Sequence, residues 1–252
     1  MKSLKLAGLC LASMLVMGMA LAGNAAAAPL WLVCLEGTNL TKYEDDQCSK
    51  LHTGGIWQSQ GIPTGKSVTV TLTAFSLRLR DPKATGGPSA VKCNGTGSEG
   101  WGLIEPSNIG KVFKAKINNP RTNCERLEGA CKAGEVESVE GVNLPWSTRL
   151  TEESEKFLIQ IQKGTGGNPG WAVTCNTLLG LQTDTCTAPS EAADEHLRAE
   201  NLVSGGVLLI KGEFAKRSRA KCTQAKNEEV GEISGWISTL LANGFALSIN
   251  KA

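Results

Sequence analysis

His52 follows Glu44-Asp45-Asp46 within one short polar stretch, and a histidine beside carboxylates is the pattern of a general base. One reading of the chain is therefore a hydrolase with its site at His52, Asp45 and Asp46. The nucleophile motif G-x-S-x-G that a serine hydrolase would add is absent. Glu152-Glu153-Ser154-Glu155 is a second carboxylate cluster, of the type that could cleave a glycosidic bond or hold calcium. No glycine stands at the offset a calcium loop requires, so both clusters read more simply as solvated acidic turns. His196 precedes Glu200 by four, which on a helix would make a surface ion pair. Gly95-Thr96-Gly97-Ser98-Glu99-Gly100 has the glycine spacing of a phosphate loop but lacks the helix that would follow it. The six tryptophans stand against a single tyrosine. Trp57 and Trp101 lie in polar, glycine-rich surroundings, where exposed rings could stack on a sugar, whereas Trp171 and Trp236 carry the parity of core residues. No catalytic residue is assigned, and neither a cofactor nor a metal is expected.

The cysteines say where such chemistry would take place. Met1–Ala27 has Lys2 and Lys5, an apolar run from Leu6 to Ala22 and then alanines, the layout of a secretory signal cleaved after Ala27. That run is short for a spanning helix and no charged stop-transfer follows, so no transmembrane segment is expected after cleavage. Of nine cysteines, Cys10 leaves with the signal. Cys34, Cys48, Cys93, Cys124, Cys131, Cys175, Cys186 and Cys222 remain, an even number that in an exported chain reads as four disulfides. No pair is spaced C-x-x-C, which argues against zinc. Cys34–Cys48 and Cys175–Cys186 are candidates by closeness; an internal duplication would instead pair Cys93 with Cys124 and Cys175 with Cys222. Removing Lys2 and Lys5 from 26 basic residues leaves 24, against 24 acidic ones. With no net positive charge, and only Lys216–Lys221 as a basic run, the chain is not read as a nucleic-acid binder. Asn39-Leu40-Thr41 and Asn94-Gly95-Thr96 fit the glycosylation pattern, which is discounted because the signal has a bacterial look.

The elements that must position these residues are strands. Val68, Val70 and Leu72 alternate with Thr69, Thr71 and Thr73, which places the apolar side chains on one face. The parity slips by one at Ala74-Phe75, as a β-bulge or a tight turn would make it do, and resumes through Phe75, Leu77 and Leu79. Shifted by 82 residues, 69–94 aligns with 151–176 without a gap, matching Phe75 to Phe157 and Ala90, Val91, Cys93 and Asn94 to Ala172, Val173, Cys175 and Asn176. The match reads as an old duplication, its two halves about 28–140 and 141–252. Leu30–Leu35, Lys111–Ile117 and Val207–Ile210 read as further strands, and Asn118–Glu140 as an irregular loop. Ser190–Asn201 reads as the one short helix, with Ser190 as its N-cap. Asn243-Gly244, between Ile237–Ala242 and Phe245–Ile249, predicts a closing hairpin with Leu240 opposite Leu247. The sum is an all-β domain over 28–252, a β-sandwich or a closed antiparallel barrel.

Trp31-Leu32-Val33-Cys34, the two Val-x-Cys-Asn strands, Asn143-Leu144-Pro145-Trp146, and Gly170–Cys175 with Asp184-Thr185-Cys186 resemble a group of uncharacterised exported, disulfide-containing, β-rich proteins of actinobacteria. The resemblance implies export and disulfides and brings no activity with it. The sequence thus points to an exported, non-catalytic β protein, secreted or associated with the cell envelope. Its ligand would be cell-wall or environmental polysaccharide, met through Trp57 or Trp101, with the hydrolase at His52 as the alternative.

Overall fold

The computed structural model describes residues 28–37, 42–86, 89–96, 99–106, 108–129, 131–188, 196–204, 207–214, 218–226, 229–241 and 247–251. The first strands are β1 (Pro29–Glu36), β2 (Trp57–Gly61), β3 (Val68–Asp81), β4 (Ser89–Thr96), β5 (Glu99–Ile104) and β6 (Ile109–Lys116). After a single helical turn, α1 (Pro120–Asn123), come β7 (Cys124–Glu128), β8 (Val136–Val142), β9 (Trp146–Glu153), β10 (Lys156–Gln162), β11 (Gly170–Thr177) and β12 (Gly180–Thr187). The last are β13 (His196–Ser204), β14 (Val207–Phe214), β15 (Ser218–Cys222), β16 (Glu229–Leu241) and β17 (Leu247–Lys251). The chain is all-β, as its alternating pattern predicts.

Fourteen strands form one antiparallel sheet, and β17-β1-β2 form a second. The large sheet closes on itself by two routes without making one clean barrel. One circuit runs β3-β5-β6-β8-β11-β12-β15-β16 and returns to β3; the other runs β3-β5-β6-β9-β10-β13-β14-β16. Both share β16, β3, β5 and β6. They can do so because β3 has 14 residues and β16 has 13, more than twice the usual strand length. The end of β3 at Phe75 and Leu79 faces a core cluster with Val91, Val139, Trp171, Val173 and Ile233. Its start, Val68 and Val70, packs on another cluster with Ile104, Leu150, Ile210, Phe157 and Ile159. The small sheet supplies Trp31, Val33, Leu247 and Ile249 to that second core.

The parity slip proves to be two different devices in the two aligned stretches. In β3 it is a bulge: Leu72 faces Thr239 and Ala74 faces Ser238, leaving Thr73 extra, its hydroxyl donating to the Ser238 carbonyl at 3.0 Å. At the matching place in the second stretch, Ser154-Glu155 is a two-residue turn joining β9 to β10, with φ of 51° and 63°. The pairings also differ. β3 pairs with β4, whereas β10 pairs with β9 and β13, and β11 with β8 and β12. The first stretch nonetheless shares a core with Trp171, Val173 and Cys175 of the second.

Three expectations of secondary structure need correction. Residues 189–195 lie outside the described residues, but His196–Asn201, expected to be helical, is strand; its register opposite β10 and β14 outweighs the local capping signal. The stretch 118–140 contains α1, β7 and most of β8, because Val136 and Val139 are drawn into the first core. Asn243-Gly244 lies outside the described residues, and the strands flanking it belong to different sheets. Leu240 faces Thr71 and Leu247 faces Val33, so they are not opposite one another. The signal stretch 1–27 and Asn39 also fall outside.

The disulfides are Cys34–Cys48, Cys93–Cys124, Cys131–Cys175 and Cys186–Cys222. The first and second match expectation; Cys175–Cys186 and Cys175–Cys222 do not form. Cys175 and Cys186 do lie on paired strands, but the register sets Cys175 against Gln182 and Trp171 against Cys186. Cys93 with Cys124 and Cys186 with Cys222 are each opposite one another on neighbouring strands, with Cα atoms 4.0 Å apart. Six of the eight sulfurs lie in the first core and none in the second.

Candidate functional site

Between the two cores, along the strands the circuits share, the interior leaves a cavity of about 230 Å³. Leu72, Phe75 and Leu77 of β3, Ile117 after β6, Ile159 and Ile161 of β10, and Ile233 and Ile237 of β16 line it, with three tryptophans, Trp31, Trp146 and Trp171. The lining is almost wholly apolar. Trp146 is held by a 2.7 Å hydrogen bond from its Nε1 to the Val142 carbonyl, and its ring lies over Gly141, where a Cβ would meet it at 2.9 Å. The glycine leaves room for the indole, so the aromatic wall is fixed by backbone on two sides.

A second, smaller cavity of about 130 Å³ lies on the far side of Trp171. Here β3 ends in Asp81, which is only 1% exposed, and β12 carries Asp184. Asp81 Oδ1 accepts the Lys83 N–H at 2.9 Å, while its Oδ2 is buried without a hydrogen-bond partner. Asp184 Oδ1 accepts the Gln224 N–H at 3.1 Å and the Thr223 hydroxyl at 3.2 Å. Burial pushes Asp184 up to about 6; the Gln224 N–H and the Thr223 hydroxyl pull against that, and the Asp81 carboxylate adds to it by charge and by hydrogen bonding. The Cys186 and Cys222 sulfurs converge on Asp184 within 4.8 Å, but they are bonded to each other and offer no thiolate to a metal.

The residues singled out in the sequence lie elsewhere. Asp45 organises its own loop: it accepts N–H groups from Gln47 at 3.0 Å, Ser49 at 3.1 Å and Lys50 at 2.8 Å, and the Ser49 hydroxyl. Slight burial pushes its pKa upward, but the Ser49 and Lys50 donors outweigh it and hold the carboxyl below its usual value. Asp46 accepts the Gln47 carboxamide at 3.2 Å, and His52 is exposed, its backbone N–H donating to the Lys42 carbonyl at 2.8 Å. Among the described residues, no hydrogen bond or ion pair joins His52 to either aspartate. Trp57 opens β2 half-buried, bonded through its backbone to Lys42 and Tyr43. Trp101 sits in β5 between Thr71 and Lys114; its side chain is outside the described residues. Glu153 ends β9 and Glu155 lies in the turn after it, both facing solvent. Glu200 pairs with Lys211 at 3.8 Å. Trp171 is core, as expected, while Trp236 is half-buried with the Lys211 ammonium 5.9 Å from its ring. Of the basic run, Lys216 and Arg217 are outside the described residues, and β15 starts at Ser218.

No family model, curated protein or solved structure matches this chain. The two cavities are the places in the fold with room for a ligand. Neither was signalled as a site in the sequence. The apolar lining is indistinguishable there from ordinary core, and Asp81 looks like the polar end of a strand. The pattern that could have drawn attention to the second cavity is Asp184-Thr185-Cys186, an acid two residues from a buried cysteine and so on the same strand face.

Proposed function

We propose that this is an exported, non-catalytic β protein that holds a compact apolar molecule in the cavity between its cores. The observation that carries the reading is the cavity itself, whose accessible lining is chiefly apolar and walled by three indoles, with Lys111, Lys114, Lys116 and Glu140 at its border. Its volume exceeds the roughly 150 Å³ of an engineered apolar cavity that binds benzene. It falls short of the roughly 300–1,000 Å³ of drug-sized sites. A hydrocarbon-like ligand of about ten heavy atoms fits that window. Four disulfides support an oxidising location. Among the described residues, no helix is long and apolar enough to cross a membrane. The hydrolase alternative has less support, because Asp45 spends its oxygens on its own loop and His52 has no carboxylate partner. Contact with polysaccharide through Trp57 or Trp101 is left without a supporting geometry.

The test is calorimetry and tryptophan fluorescence against a graded series of linear and cyclic hydrocarbons and medium-chain alcohols, with cell-wall glycans alongside. Binding should peak near ten carbons and shift the emission of the cavity indoles. Ile237→Phe, which fills the cavity from β16, should abolish that binding without lowering stability. No binding across the series, or equal binding by the filled variant, would overturn the proposal. Glycan binding lost in a Trp57→Ala, Trp101→Ala double variant would favour the surface reading instead.

A further inference from the structure

The smaller cavity presents two carboxylates that face each other with nothing positive between them. Each spends one oxygen on protein donors: Asp81 Oδ1 on the Lys83 N–H, Asp184 Oδ1 on Thr223 and Gln224. The second oxygens have no protein donor, although Asp81 and Asp184 lie close enough to share a proton. Asp81 Oδ2 is buried and unpartnered, and Asp184 Oδ2 has only the Cys186 sulfur, 3.8 Å away, which is in a disulfide and has no hydrogen to donate. Two such oxygens cannot both stay bare and negative in a buried place, since isolated buried charge is neutralised or paired. The rest of the lining is rich in oxygen, from Thr85, Ser89, Thr183 and Gln182, and among the described residues no lysine or arginine contributes to it.

We propose that Asp81 and Asp184 form a binding site for a hard divalent cation of the calcium type. The chemistry of the donor set decides the class. All available ligands are oxygens, which suit calcium, and the sulfurs alongside are closed to softer metals. Two carboxylates with hydroxyl, carboxamide and water oxygens meet calcium's demand for 6–8 loosely arranged ligands better than magnesium's strict octahedron. The site also lies where several parts of the chain meet. Thr85 bonds the Gln224 carbonyl through both its N–H, at 3.0 Å, and its hydroxyl, at 2.8 Å. Thr223 donates its N–H to Thr185 at 2.9 Å. A cation between Asp81 and Asp184 would lock the end of β3, the link after it, β12 and the turn after β15 into one unit.

The experiment uses the mature protein, stripped with chelator and returned to neutral buffer. Calcium at ten times its dissociation constant should raise Tm by roughly 3–6 °C. Terbium should luminesce on tryptophan excitation, because Trp171 lines the same cavity, and calcium should quench that signal by competition. Asp184→Asn should weaken calcium at least about tenfold in both readouts. Asp184 is the variant of choice because it is only half-buried; should Asp81→Asn fail to fold, Asp184→Asn still decides. Trp171→Phe should keep the calcium shift and lose the luminescence. A Tm unmoved by millimolar calcium, or a terbium signal unchanged in Asp184→Asn, would overturn the proposal. Stabilisation by acid alone would then place a shared proton between the carboxylates.

Discussion

A carboxyl group that is partly buried beside another carboxylate gives up its proton late, and the folded chain is charged for it as pH rises. Asp184 shows this: burial first, then the neighbouring Asp81, raise it from 3.8 to about 6. The unfolded chain lacks both effects. The folded form therefore binds the proton more tightly, and the contribution to stability is fully present below about pH 4. It is lost as pH rises through about 6. In chelator, denaturant midpoints should fall across that window, and Asp184→Asn should flatten the slope; a midpoint rising from pH 4 to 6 would contradict the assignment. Asp45 titrates the other way, its loop donors holding it low, so its contribution is lost only in strong acid. None of this was legible in the sequence. Asp45, beside His52, looked like chemistry and is a loop anchor. Asp81 looked like a strand end and is buried, because burial depends on which distant strand arrives above it.

At the scale of elements, alternation was the reliable signal. It located β3, short apolar runs located β1 and β14, and the parity slip at Ala74-Phe75 marked the Thr73 bulge. The Ser154-Glu155 turn holds two residues with side chains at positive φ, where a two-residue hairpin of this hand favours Asn-Gly. Replacing Ser154→Asn together with Glu155→Gly should stabilise the protein by about 1 kcal/mol, measured by urea denaturation. No gain would mean that Glu155 serves a purpose of its own. Local signals failed where tertiary pairing overrode them. Ser190–Asn201 had a helix cap and acidic first turn, but from His196 onward the chain fills a gap between β10 and β14. Asn243-Gly244 gave a hairpin signal, but β16 is held by β3, β14 and β15, and β17 by β1. Cysteine spacing could not choose partners for Cys131 or Cys186, since their bridges follow from register.

For the whole molecule, the uneven placement of sulfur divides one fold into two kinds of interior. The first core contains three disulfides closing stretches of 31, 44 and 36 residues, each expected to contribute about 3–4 kcal/mol. The second is held by aliphatic and aromatic packing. Gly231 shows how closely the first is built: a Cβ there would run into the Cys222 sulfur. Under mild reduction, hydrogen exchange should therefore accelerate first in β4, β7, β11, β12 and β15, while β10, β13 and β14 keep their protection. Uniform loss across both groups would show that the two cores melt as one. The pairing of β3 with β16 carries a consequence for how the chain comes to be folded at all. Ten contacts in that ladder join positions about 150–170 apart in sequence, from Val70 with Leu241 to Arg80 with Glu232. A nascent chain that has emerged only as far as β14 has no partner for the outer rim of β3. Neither circuit can shut until nearly the last strand arrives, and closure over such separations is slow. A polypeptide exported before acquiring its shape, as proposed above, would be well served by a sheet that waits for β16.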